Sequence, residues 1–153
     1  MDRRAFVAAV GVVAGTVVSG KAISESKHKG HMKSKKRSKV VEDLIEETEE
    51  CLQEGRECLA HCLDNLNGGD TSLVSCQQSV MNMMASVDAL NQVAVYGTYK
   101  AESMKRLVEA CQAFCEDCII ECEKHVKHHK VCRDCAKACE ECVKACKSYL
   151  KTI

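Results

Sequence analysis

From residue 40 onward, apolar and thiol positions repeat at intervals of three and four, a spacing that holds side chains on one face of an α-helix. The pattern predicts four helices. The first runs from about Val40 to Asn65, with Leu44, Thr48, Cys51, Gly55, Cys58 and Cys62 on one stripe. Ile45, Leu52, Leu59, Leu63 and Leu66 form a second stripe beside it. Gly55 stands where a core side chain is expected, so it should leave room for something else. The second helix, about Ser72 to Val95, carries Leu73, Cys76, Val80, Met83, Val87, Leu90 and Ala94. The third, about Lys100 to Val126, carries Met104, Leu107, Cys111, Cys115, Cys118, Cys122 and His125. The fourth, about Val131 to Lys151, carries Cys132, Cys135, Cys139, Cys142, Cys146 and Tyr149. Asn67 to Thr71 is rich in turn formers, and Asp70 or Thr71 is expected to cap the second helix. Gly97 is expected to end that helix at its C-terminus. Four helices with short connections predict an all-α fold: an antiparallel, up-down-up-down four-helix bundle with a cysteine-lined core over residues 40–153.

Composition sharpens this. The chain has 153 residues, no Pro or Trp, three Tyr and two Phe, which argues for helices and against a β-rich fold. The formal net charge is zero but unevenly spread. Residues 21–39 hold eight Lys/Arg and one Glu, whereas residues 40–153 hold twelve Lys/Arg against twenty Asp/Glu. The bundle is therefore acidic, and no nucleic-acid partner is expected. Arg3 and Arg4 precede an apolar run, Ala8 to Val18, that is too short to span a bilayer. Residues 1–22 read as a twin-arginine-type export signal, which places the protein in the periplasm or another extracytoplasmic space. Residues 23–39 read as a basic flexible arm. Export in the folded state would let thiols be buried before they meet an oxidising compartment.

The chemistry lies in the cysteines. Cys111, Cys115, Cys118 and Cys122 give C-x3-C-x2-C-x3-C, and Cys132, Cys135, Cys139, Cys142 and Cys146 give C-x2-C-x3-C-x2-C-x3-C. Cys51, Cys58, Cys62 and Cys76 complete the thirteen. With four antiparallel helices the sulfurs stack into one column. Cys51, Cys111 and Cys146 are expected to share the lowest level, and Cys115, Cys142 and Met83 the next. Leu44, Leu90, Leu107 and Leu150 should close the lower end. His125 should sit at the upper mouth with His128, His129 and His61, so a metal ion is expected to load from there. Met83 is either core filler or a thioether ligand, and Met81 and Met84 are expected to pack.

A disulfide framework fits poorly, because cysteines three or four apart on one helix have the wrong geometry for bridging. Structural zinc wants a closed tetrahedron of four ligands, and iron–sulfur clusters want loop motifs. A nucleophilic cysteine needs one activated thiol beside a base. No catalytic constellation is present, so the chain reads as a binding protein and not an enzyme. Cu(I) is soft, prefers thiolate and thioether, and matches one deprotonated thiol in charge. The expected cargo is thus many Cu(I) ions per chain, about one per cysteine. A zinc or other soft-metal thiolate cluster, or a thiol redox protein, stands as the alternative.

The Cys111–Cys122 and Cys132–Cys146 runs resemble the bacterial copper storage proteins, and Arg3 and Arg4 resemble the leader of that family's exported, twin-arginine branch. The resemblance covers about residues 40–151. It implies a four-helix bundle holding many Cu(I) ions, assembled as a homotetramer. It also implies exchange with copper donor or acceptor proteins or small chelators, for copper supply to cuproenzymes or for detoxification.

Overall fold

The computed structural model describes residues 37–153. The export signal placed at 1–22 and almost all of the basic arm lie outside the described residues. Four helices follow one another: α1 (Lys39–Asn67), α2 (Val74–Tyr96), α3 (Ala101–Glu123) and α4 (Lys130–Leu150). They pack in a ring: α1 on α2, α2 on α3, α3 on α4 and α4 on α1, with the backbones of diagonal helices held apart. Short connections and the side-chain pairings below make neighbours antiparallel. This is the expected up-down-up-down bundle. Among the described residues, no helix is long and apolar enough to cross a membrane.

The buried face of each helix follows the 3.6-residue period. On α3 it reads Met104, Val108, Cys111, Cys115, Cys118 and Cys122. Leu107, expected in that row, is only half-buried, and Val108 takes its place. Steps of three and of four after Met104 both fit a helix, and the phase is set by packing. Leu150 is likewise half-buried, so the lower end is closed by Leu44, Val87, Leu90, Ala94, Met104 and Val108. Each of the larger side chains among these contributes about 1.5–3 kcal/mol on burial. Thr48 is the one buried polar residue among them. Its hydroxyl donates to the Leu44 carbonyl at 2.8 Å and accepts from the Asn91 amide at 2.9 Å, so its burial leaves nothing unpaired.

The second stripe on α1 fades toward its end: Leu52 is buried, Ile45 and Leu59 half-buried, and Leu63 exposed. Gly97 closes α2 in the left-handed conformation (φ 67°), its N–H donating to the Val93 carbonyl. The expected cap by Asp70 or Thr71 does not form. Leu73 precedes α2 without a side-chain cap, and the Asp70 carboxylate instead accepts from the Ser72 N–H at 2.9 Å. An Asx turn two residues on competes with capping for the same oxygen. Helix α3 ends at Glu123, earlier than expected, which leaves His125 in the turn to α4.

Candidate metal centre

All thirteen cysteines are free, and each is fully buried. The helical period aims the thiols of α1, α3 and α4 at the axis, because an interval of three or four returns a side chain to the same face. The ring of helices, open along its diagonals, leaves that axis to the sulfurs.

Five groups of three sulfurs lie within 4.8 Å of one another: Cys111/Cys115/Cys142, Cys51/Cys115/Cys139, Cys118/Cys135/Cys139, Cys58/Cys122/Cys135 and Cys58/Cys76/Cys132. Each shares a member with the next, through Cys115, Cys139, Cys135 and Cys58 in turn, so the groups form one continuous chain. Cys146 and Cys62 stand outside the triads. Cys146 joins the lower end through Cys111 and Cys142, and Cys62 joins the upper end through Cys58 and Cys76. Across helices, Cys76 and Cys122 are 3.5 Å apart, Cys51 and Cys139 3.7 Å, and Cys118 and Cys135 4.0 Å. A metal–thiolate bond of about 2.3 Å lets one ion span two sulfurs up to about 4.6 Å apart. The spacing thus suits ions bridged by shared sulfurs. A closed four-cysteine zinc knuckle would instead isolate its ligands from their neighbours.

The register of α1 differs from the expected levels. Cys51 lies not with Cys111 and Cys146 but higher, against Cys115, Cys139 and Met83. The helix ends do not share one height, and α1 is offset along the axis relative to α3 and α4. Met83 is fully buried, its Sδ 3.4 Å from the Cys51 Sγ. Met84 is half-buried beside Gly55, and Met81 is half-exposed.

The thiols split electrostatically. Hydrogen bonding with Cys122, Cys132 and Cys135, reinforced by burial, holds Cys58 well above the ordinary thiol range. Cys115, Cys118 and Cys135 do the same to Cys139. At the upper end Cys58 and Cys76 donate to Cys62 and to Cys132, which are lowered to about 4 and about 3. Most of the column is therefore protonated when empty, as the cost of burying bare thiolates demands.

Above Cys62 and Cys132 lies a histidine cluster. The ring nitrogens of His61 Nε2 and His129 Nδ1 are 2.7 Å apart, and the His125 ring lies 6.1 Å from that of His129. Asn65 steadies His61 by contacting its ring nitrogen at 3.2 Å and donating to its carbonyl at 2.8 Å. His125 thus reaches the expected mouth from the turn, while His128 is exposed. The His61–His129 pair joins the end of α1 to the start of α4, residues 68 positions apart, which no single-helix stripe reveals.

A helical bundle whose axis is a shared run of reduced, buried thiols is a container for soft metal ions. The chain belongs to the copper storage protein family, whose sequence profile matches residues 37–151. No curated protein matches the chain. Among solved structures it is similar to the Streptomyces lividans copper storage protein Ccsp loaded with 10 copper equivalents, at 30% identity and TM-score 0.69, over 74% of this chain and 86% of that one. A structure of a cytosolic copper storage protein from the same organism with five coppers matches equally, at 30% identity and TM-score 0.69, over 74% of this chain and 94% of that one. A Ccsp variant with two histidines replaced by alanine matches at 26% identity and TM-score 0.67, over 74% and 95%.

These matches overturn the expected periplasmic or extracytoplasmic location, since the matched Streptomyces protein is described as cytosolic. Thiols that folded export would protect are kept reduced equally well by a cytosol.

Proposed function

We propose that this chain holds Cu(I) along its axis through the thiolates of its thirteen cysteines, as a store and not as a catalyst. The observation that carries the reading is the unbroken sharing of sulfurs between neighbouring triads. Each sulfur can bridge two ions, so capacity should approach one ion per cysteine, on the order of ten or more. A Cu⁺ that replaces each thiol proton keeps the filled column neutral. The solved relative that carries 10 copper equivalents supports a load of this size.

Loading proceeds from the histidine end. His61, His125 and His129 offer ligands directly above Cys62 and Cys132, whereas the other end is closed by aliphatic side chains and the single thioether of Met104, with no histidine. Passing between adjacent ligands spares a bare ion from entering an apolar space. Copper reaches that mouth from a donor protein or small chelator and leaves to an acceptor by the same route. The homotetramer implied by the family resemblance belongs to the same reading.

Anaerobic titration of the reduced protein with Cu(I), counting metal and thiol together, tests this. Uptake of about one ion per cysteine is expected. Saturation at three or four ions, or a preference for Zn²⁺, would replace the copper store with a zinc cluster. Replacing His61, His125 and His129 together by Ala should slow uptake while leaving the capacity intact. Unchanged rates would move the loading point elsewhere.

A further inference from the structure

At the level of the Cys51/Cys115/Cys139 triad, three helices contribute a thiol and α2 contributes none. What α2 places there is Met83. Its side chain is fully buried and its Sδ stands 3.4 Å from the Cys51 Sγ, with that thiol donating to the thioether. Gly55 gives that side chain its room. The row Cys51, Gly55, Cys58, Cys62 is interrupted by one residue without a side chain. A Cβ at position 55 would stand 3.0 Å from the Met83 methyl and 3.0 Å from the Met84 Cγ. Glycine inside a helix weakens it relative to alanine. Here that cost opens the space through which the methionine reaches the axis. Ordinary packing would be met by leucine at 83 and alanine at 55. The observed pair instead aims a sulfur lone pair at the proton of a column thiol.

We infer that Met83 is a ligand in the sulfur column, a neutral thioether that completes a mixed thiolate–thioether Cu(I) site on the Cys51/Cys115/Cys139 triad, with Gly55 as the residue that admits it. The inference rests on the copper-storage reading and assigns it one specific site. Cu⁺ takes the place of the Cys51 proton, which leaves to solvent. The thioether lends a lone pair and keeps its own charge of zero. Thioether sulfur is a soft donor that selects Cu(I) among the common metals. It cannot be protonated at ordinary pH and adds no negative charge, so it raises the coordination of one ion without unbalancing the column. The site is thereby set apart from its all-thiolate neighbours.

The test uses the full chain with its methionines replaced by selenomethionine, reduced, loaded anaerobically with Cu(I), and examined by selenium-edge X-ray absorption. The labelled protein should show a copper neighbour at selenium. M83L, which keeps the apolar bulk and the five other methionines, should lose that neighbour while staying helical by circular dichroism. In unlabelled protein, M83L should weaken one bound ion about tenfold or more in competition with a Cu(I) chelator. Full copper uptake with no copper at selenium would overturn the thioether assignment and leave the storage reading standing. The same selenium–copper signal in M83L would overturn it too. Failure of the unsubstituted protein to take up copper at all would strike the storage reading itself.

Discussion

The core has two halves built on the same helical period and filled with opposite chemistry. In the lower half Leu44, Val87, Leu90, Met104 and Val108 meet as in any bundle, around the satisfied Thr48–Asn91 pair. In the upper half the same positions carry thiols. Both are fully buried and both pack, since a protonated cysteine behaves as a small hydrophobe. The difference is in what each can exchange. Aliphatic contacts only hold the helices together, whereas the S–H protons can be replaced by metal. The lesson is a division of labour along one axis: the lower half secures the scaffold so that the upper half need not depend on its cargo.

The sharpest way to break this comparison is to truncate one residue from each half. Leu90→Ala should cost about 2–5 kcal/mol of stability in the metal-free protein, read by chemical denaturation, and leave copper capacity unchanged. Cys118→Ala should do the reverse, costing about 1 kcal/mol while lowering capacity. A Cys118→Ala variant that unfolds as readily as Leu90→Ala would erase the distinction.

Next in size is the effect of cargo on the fold. The metal-free protein should already be strongly helical, and loading should raise its melting temperature without adding helix. An ion present at a thousand times its dissociation constant adds about 4 kcal/mol. A metal-free chain that is a random coil, as zinc-finger peptides are, would contradict a preformed scaffold.

The smallest effect is the proton count. A thiol whose pKa is raised keeps its proton at neutral pH, so copper must expel it and binding weakens as pH falls. Cys58 and Cys139 are of this kind. Cys62 and Cys132 at the mouth are lowered to about 4 and about 3 by hydrogen bonds from Cys58 and Cys76, and Cys51 and Cys135 deeper in the column are lowered by their neighbours too, so these thiols give up a proton more readily. If the first ions bind at that mouth, they should release fewer protons than later ones in a weakly buffered titration. Uniform release from the first ion onward would show that loading does not begin there.

Much of this was legible in the sequence because cysteine at steps of three and four is both a helix signal and a ligand signal. The four helices, the sulfur face of each and the Gly97 stop follow from local pattern. Leu107 was mistaken for Val108 because two phases satisfy the same period, and only packing against α2 and α4 selects one. Cys51 was set a turn too low because relative helix height is a tertiary property. The gap at Gly55 was visible, but its occupant was not, since Met83 lies on another helix. The location of the protein was misjudged from a short charged and apolar leader, a pattern of few residues with little physical specificity.

Under the proposed route the column is served from its histidine end alone, and this fixes an order of service. Ions that pass hand to hand through shared sulfurs cannot overtake one another, so the store behaves as a stack, last in and first out. Protein loaded with one copper isotope to half capacity and filled with a second should give back the second first when a chelator draws it down. The deep ions then form a reserve that turns over slowly, and the ions near the mouth a working fraction that turns over fast. One chain would thus keep two time scales of supply without any second binding chemistry.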